Sequence, residues 1–374
     1  MNFSLTEDQR MLVDSAAGFT RKQSPVARMR KLREDPIGWS PEVWRQIGEL
    51  GWLGLPFPED VGGIGGSFVD LALVLEQLGT TLVPEPIVPS IVAGIAILKA
   101  GDAAQQRAFL EPMINGKSSL ALAWAEADSR YDAARISTTA ARSPGGFRIT
   151  GKKGFVLDGH AAAKLVVSAR NGSSVSLFVV DRDAPGVTVR SVKTLDGRRA
   201  AMIELDVEVA PDRRLGGDGL AALTYAIDVG AAAACAEGVG IMRALLAMTT
   251  EYLRTREQFG VKIGSFQALQ HRAVDMFIET ELAYSASLAA AIRIDDGNPV
   301  ERIAAVAAAK VQLNESGRYV TQQAIQLHGG IGITDEHDVG LYMKRMLALN
   351  ATYGDAEYQL ARFAARPEFV AGIA

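Results

Sequence analysis

The sequence predicts an α+β protein in three parts: an N-terminal helical domain (residues 1–117), a central small β-barrel or sandwich (118–216) and a C-terminal four-helix bundle (217–374). Three observations predict it. Apolar residues recur at helical spacing up to about residue 117. From Ser118 to about Leu215 come short β-rich runs separated by turn residues. From Gly219 onward the helical spacing returns and is not lost again. The chain has 374 residues, 48% hydrophobic and 22% charged, which is enough for a large core and too long for one small domain.

Each element has its own local reason. Thr6 and Gln9 form a capping box, and Leu12, Ala16 and Phe19 follow on one helical face. Ser40 caps another helix, with Pro41 at its first position. Leu55 to Gly66 is a loop that starts rigid with prolines and ends flexible with glycines. It follows no strand and carries no lysine, which argues against a phosphate loop. Leu71, Val74, Leu75 and Leu78 mark the next helix, and Pro84, Pro86 and Pro89 lead to an apolar one at about Ser90–Ala100.

The β-rich runs are Ser119–Trp124, Arg135–Ala141, Phe147–Thr150, Lys164–Ala169, Val175–Val180, Val187–Val192 and Met202–Val207. Pro144-Gly145-Gly146, Asn171-Gly172-Ser173 and Asp183-Ala184-Pro185-Gly186 supply turns between them. No helical pattern interleaves the strands and no G-x-G-x-x-G occurs, so a parallel dinucleotide-binding sheet is not expected.

In the last part, Ile241, Leu245, Met248 and Tyr252 mark a first helix. Its small-residue stretch Gly230–Gly240 requires another body to approach closely, and suggests that the bundle needs a partner chain. Leu269, Ala273, Met276, Phe277 and Thr280 mark a second helix. Asn298 caps a third, with Pro299 at its first position and Gly329-Gly330 at its end. Val339, Tyr342, Met343, Met346 and Leu347 mark a fourth. Four long helices with short connections make a bundle.

Composition narrows the function. The net charge is −4 and there is no basic block, which argues against nucleic acid as a partner. MNFSLTEDQR lacks an apolar signal core, and no run reaches the ~18 uninterrupted apolar residues of a membrane span, so no membrane is expected. Cys235 stands alone, which excludes an intrachain disulfide and fits a cytoplasmic location. His160, His271, His328, His337 and Cys235 show no metal-ligand spacing, so no metal is expected.

The chemistry concentrates in Tyr252–His271. Arg254 and Arg256 lie beside Phe259 in a Gly-punctuated turn, and Gln267 and Gln270 open the following helix. An arginine fork, a ring and amides suit a ligand with phosphates and a flat ring. A plain helical hairpin with solvated arginines would read the same way.

Arg256-Glu257-Gln258-Phe259-Gly260 and Gln326-Leu327-His328-Gly329-Gly330, in this order of parts, resemble the acyl-CoA dehydrogenase family over essentially the whole chain. The resemblance implies FAD between the barrel and the bundle, near a subunit interface. It implies that Arg256 holds the flavin pyrophosphate of a neighbouring subunit and that Phe259 packs by the adenosine half. Gln326, Gly329 and Gly330 approach the adenine end, and Phe155 and Leu157 fall where residues flank the flavin ring. The implied reaction is α,β-desaturation of an acyl-CoA. A carboxylate takes the α-proton while the β-hydrogen leaves as hydride to the flavin. The implied acceptor is an electron-transfer flavoprotein.

The chain departs from the family where that carboxylate belongs. The usual glutamate before the C-terminal Gly-Thr is replaced by Tyr353, in Tyr353-Gly354-Asp355. The alternative position on the first bundle helix is Gly230, followed by Ala231 where an arginine toward the CoA is common. The family's T-E-P-G-x-G-S-D loop reads Ala125–Asp132, and its W-I-T-N reads Phe155-Val156-Leu157-Asp158. Leu157 cannot donate a hydroxyl hydrogen bond to the flavin. Asp355, Asp228, Glu237 and Tyr353 remain as local candidates. Their plain readings are a turn former for Asp355, solvated or capping helix residues for Asp228 and Glu237, and core for Tyr353. A tyrosine with pKa ~10 is a poor base at neutral pH. Three functions stay open. The chain could be the small subunit of a heterotetramer whose Glu-bearing paralogue supplies the base. It could be a self-sufficient homo-oligomer with a displaced base such as Asp355, or a flavin-free scaffold.

Overall fold

A computed structural model describes residues 4–366. In chain order the elements begin with α1 (Glu7–Gln23), α2 (Val26–Leu32), α3 (Pro41–Glu49), α4 (Phe68–Gly79), α5 (Ile87–Ala100) and α6 (Ala103–Ile114). Seven strands follow: β1 (Leu120–Ala123), β2 (Thr139–Ser143), β3 (Gly146–Leu157), β4 (Lys164–Asn171), β5 (Ser174–Asp181), β6 (Val187–Lys193) and β7 (Arg199–Val209). The chain continues through α7 (Gly219–Thr255), a small hairpin of β8 (Glu257–Gln258) and β9 (Val261–Lys262), α8 (Gln267–Ile294), α9 (Pro299–His328), α10 (Val339–Ala351) and α11 (Ala356–Ala364). The fold class is therefore helical, then β, then helical, as expected.

By compactness the chain forms two units. One holds the chain up to Arg30, Phe68–Val83 and the chain from Ala231 on; the other holds Lys31–Ser67 and Pro84–Gly230. The helices before residue 117 are thus shared out: α1 and α4 belong with α8–α11, and α3, α5 and α6 belong with the strands.

In the β unit, each of the seven β-rich runs yields a strand of one mixed sheet, ordered β1-β4-β2-β3-β7-β6, with β5 also on β4. The β1–β4 and β2–β4 pairs are parallel and the others antiparallel. The inward residues include Ile149, Leu165, Val167, Phe178, Ile203 and Val207. Ser90 of α5 ties a helix to this sheet: its hydroxyl donates to Leu120 O (3.1 Å) and accepts from Leu120 N (3.2 Å). Two strand boundaries differ most from expectation. The second starts at Thr139 rather than Arg135, because the Ser137 and Thr138 N–H groups donate to the Glu126 carboxylate instead of a ladder. The third runs on to Leu157 because Gly151 is no turn. A Cβ there would lie 2.5 Å from Thr138 Oγ1, so glycine permits a close approach.

In the helical unit, α4 crosses α7 almost backbone to backbone. A Cβ on Gly240 would stand 1.9 Å from Glu76 O, and one on Gly79 would stand 2.3 Å from Glu237 O. A Cβ on Gly238 would meet Leu313 of α9 at 2.3 Å. The body that the small-residue stretch requires is therefore α4 and α9 of this same chain, and that stretch gives no ground for a partner chain. Charge then locks the contact. Arg243 reaches Glu76 at 2.8 Å, and Arg345 of α10 grips Glu237 with two hydrogen bonds of 2.7 and 2.8 Å. Burial raises the Glu76 pKa, and Arg243 opposes that rise.

Three helices of the bundle are long, with 37, 28 and 30 residues, while α10 has 13 and α11 has 9. By length and composition α7 could cross a membrane, yet 78% of its most apolar window is buried inside the protein. Its apolarity is that of a core helix.

The glycine contact makes a direct prediction. Gly240→Val should destabilise the protein by ~3 kcal/mol or more, because Glu76 O belongs to a helix backbone and cannot yield cheaply. Urea unfolding measures it, and a change of less than ~0.5 kcal/mol would refute the contact.

Candidate functional site

The Arg256 motif is folded as a two-residue β-hairpin. Glu257 pairs with Lys262 and Gln258 with Val261, and Phe259 and Gly260 form the tip. Both tip residues have positive φ, +56° and +77°, the pattern of a type I′ turn. Glycine accepts that conformation readily, and phenylalanine does not. Phe259 is nevertheless 90% exposed. The sequence spends a strained backbone to hold an aromatic ring out in solvent. At the hairpin base, Ile263 N donates to Arg256 O (2.9 Å), while the Arg256 side chain is exposed. Its guanidinium makes no hydrogen bond or ion pair with any described residue. Gln267 is exposed on the first turn of α8, and the Gln270 amide is committed to Gly264 O at 2.8 Å.

The second motif ends α9. Gln326 is exposed. Gly329 turns the chain with φ +62°, which accounts for a glycine there. Gly330 has a negative φ, and a Cβ on either glycine would meet nothing within 4 Å. Two adjacent Cβ-free positions therefore present open backbone, the surface a flat ligand needs for close approach.

In the β unit, the β3–β7 register slips between Lys153 and Val156, and Phe155 sits in that bulge at φ +52°, half-exposed. Gly154 N donates to Ala125 O (2.8 Å), which draws the loop after β1 onto the bulge. Leu157 pairs with Ala200, and Asp158 follows at φ +52°. Arg130, in the position of a glycine in the family's T-E-P-G-x-G-S-D loop, also has a positive φ, +47°. Arg130, Phe155 and Asp158 thus share a left-handed backbone.

Beneath this loop lies an ion pair that sequence reasoning missed. Lys153 Nζ, fully buried, donates to Glu126 Oε1 (2.7 Å), to Ser168 Oγ (3.0 Å) and, at longer range, to Trp124 O (3.4 Å). Burial pushes the Lys153 pKa down to about 8, with Glu126 opposing. For Glu126, burial alone would raise the pKa. Lys153, Thr138 and the Ser137 N–H outweigh it and hold the carboxyl at about 2. Phe147, Ile149 and Lys153 share strand parity, so a lysine at an inward position was the available signal.

Tyr353 is nearly buried, at φ +57°, with its carbonyl accepting from Gln359 Nε2 (2.9 Å). Asp355 Oδ1 accepts from Tyr358 N (2.9 Å) and caps α11. Lys310, fully buried on α9, donates to Leu349 O (2.6 Å) at the end of α10, and burial lowers its pKa to about 8. Gly230 is buried within α7. Asp228 and Glu237 are buried, not solvated or capping residues; Glu237 is the partner of Arg345. Among the described residues no group of His, Cys, Asp and Glu could hold a metal ion.

Comparison with known proteins decides what these parts belong to. Family models of the acyl-CoA dehydrogenase N-terminal, middle and C-terminal domains match residues 6–117, 121–208 and 217–367. The chain is 30% identical to the probable acyl-CoA dehydrogenase YngJ of Bacillus subtilis, covering 96% of this chain and 97% of the relative. The chain belongs to the acyl-CoA dehydrogenase family. Acyl-CoA dehydrogenase IpdE2 of Mycolicibacterium smegmatis is also 30% identical, over 96% of this chain and 99% of its own. A chain of the ChsE4–ChsE5 complex from Mycobacterium tuberculosis superposes with TM-score 0.89 at 28% identity, covering 98% and 100%. Acyl-CoA dehydrogenases are FAD-dependent oxidoreductases acting on acyl-CoA thioesters.

The buried pair sets a testable pH limit. Lys153→Met, which strands the Glu126 carboxylate, should cost about 3–5 kcal/mol of stability. Because the folded Glu126 pKa lies below its ordinary 4.5, its contribution is complete above about pH 4.5 and is lost as pH falls toward 2. Urea midpoints of wild type and Lys153→Met should therefore converge on acidification; a constant gap would refute this.

Proposed function

We propose that this chain is an FAD-binding subunit of a heteromeric acyl-CoA dehydrogenase, whose Glu-bearing partner chain supplies the catalytic base. Within the family, YLRTREQFG, FQALQHRAVDMF and AIQLHGGIG resemble the small subunit of pimeloyl-CoA dehydrogenase, a likeness that favours this reading. One observation carries the proposal. Both nucleotide-binding motifs are present and the Arg256 guanidinium makes no hydrogen bond or ion pair with any described residue, while the positions for the base hold Tyr353 and Gly230. Nearby carboxylates are already employed, Asp355 as a cap and Glu237 in an ion pair. That speaks against a homomer with a displaced base, and the exposed Phe259 hairpin speaks against a flavin-free scaffold.

The chain fits FAD unevenly. Arg256 offers a free guanidinium for a diphosphate, Phe259 a ring for the adenosine half, and Gln326, Gly329 and Gly330 an amide and open backbone for the adenine end. Gln267 adds an exposed amide. Toward the flavin ring, Phe155 supplies an apolar surface and Leu157 no hydroxyl, so any side-chain donor there must come from elsewhere. When bound, FAD supplies the hydride acceptor. This chain's part is to hold the cofactor and exclude water, and the α-proton leaves to a carboxylate on the other chain.

Assembly has support on the surface. Val274, Phe277, Ile278 and Leu282 of α8 are each about half exposed, beside a groove that includes Leu246 and Ala247 of α7. The similar ChsE4–ChsE5 structure is itself a complex of two proteins. We assign the three parts 1–117, 118–216 and 217–374 as the functional domains, a cytoplasmic location, an acyl-CoA substrate and an electron-transfer flavoprotein as acceptor.

Arg256→Ala should weaken FAD binding by roughly 2–4 kcal/mol in the complex with the partner, since a charge-assisted phosphate contact is lost. Flavin titration of the apo-complex reads this. Wild-type affinity in the variant would reduce Arg256 to a surface side chain.

A further inference from the structure

Tyr252 lies one helical turn before Arg256, near the end of α7, and its carbonyl accepts from Arg256 N (2.8 Å). His328 is the residue immediately before Gly329 on α9. Their rings stack, with centroids 4.5 Å apart and planes 28° from parallel. His337 adds a third ring 4.7 Å from His328. His328 is 2% exposed, and its Nδ1 lies 2.8 Å from Ala324 O, a distance that places the proton on Nδ1. Nε2 is then an acceptor, buried and without a partner among the described residues. Burial lowers the His328 pKa, with the Ala324 carbonyl opposing and His337 adding to the lowering. An imidazole with its proton on Nδ1 therefore faces the phenol ring.

This stack joins the bases of the two nucleotide-binding motifs, which sit on different helices. Its third ring comes from a segment that is itself anchored: Arg30 donates to Asp338 Oδ1 (2.8 Å) just beyond His337. Gly332 packs beneath, where a Cβ would meet His328 Cβ at 3.0 Å.

We propose that the Tyr252–His328 stack, backed by His337, is the positioning element that fixes the Arg256–Phe259 hairpin relative to the Gln326–Gly330 turn. The inference rests on both motifs serving one FAD. A dinucleotide held at its diphosphate by one motif and at its adenine end by the other is bound tightly only if the separation is set beforehand. Neither Tyr252 nor His328 need touch the cofactor.

The test is FAD affinity, read by flavin fluorescence on the apo-form of the intact assembly that the wild type makes. Tyr252→Ala and His328→Ala should each raise the Kd about fivefold to tenfold, the scale of one aromatic pair. The double variant should lose little more than either alone, because both remove the same contact. His328→Phe keeps a stacking ring without the imidazole nitrogens and should restore most of the affinity. A merely structural histidine would not show that rescue. Should His328→Ala fail to fold, half-buried Tyr252→Ala and the rescue variant decide. Wild-type affinity in both alanine variants, or His328→Phe as weak as His328→Ala, would overturn the proposal. Absence of FAD binding by the wild-type assembly would instead overturn the flavin reading on which it stands.

Discussion

The helical unit depends on the near-contact of two backbones. Glu76 O of α4 occupies the space where a side chain on Gly240 would be, and Glu237 O occupies the same place over Gly79. Two glycines, one on each helix, allow α4 to lie against α7 at a distance no other residue permits. Once there, Glu76 and Arg243 pair, as do Glu237 and Arg345, so that ion pairs on buried glutamates fix what the glycines allow. The consequence reaches the far end of α7. A helix held this firmly against α4 and α10 can carry the Arg256 hairpin on its last turn without losing its place beside α9.

The candidate site is built on strain that this framework sustains. Phe155, Phe259 and Tyr353, three bulky residues that sequence comparison singles out, all have left-handed backbone. Such conformations cost on the order of 1–3 kcal/mol each and persist only where surrounding structure enforces them. The enforcement is visible in each case. A β-bulge does it at Phe155, a two-residue hairpin at Phe259, and the Gln359 amide with the α11 cap around Tyr353. At the position we propose for the family's base, a locked turn therefore presents Tyr353.

The order of parts, the seven β-rich runs and the main helices were legible because burial imprints its period on the chain. Leu71, Val74, Leu75 and Leu78 sit on one face and are all buried. What the sequence concealed was the assignment of partners. Gly230–Gly240 announced a close approach without saying that α4 would make it, and so suggested another chain. Arg135–Thr138 looked like strand because nothing local shows that Glu126 captures its N–H groups. Glu126 and Lys153 are 27 residues apart, and only parity along β3 hinted that a lysine points inward. The cofactor motifs were legible as residues. Their exposed, strained geometry was not, since Phe259 carries no local signal for a left-handed turn.

In the proposed function, this chain holds flavin and leaves proton removal to a partner. Dehydrogenation across an acyl-CoA panel, measured on the chain alone and on its complex with a Glu-bearing paralogue, tests it most directly. Negligible turnover by the chain alone and activity in the complex are expected, with a loss of about 10²–10⁴-fold when the paralogue's glutamate becomes glutamine. Brisk, flavin-dependent turnover by the homomer, abolished by Asp355→Asn, would place the base in this chain and contradict the claim.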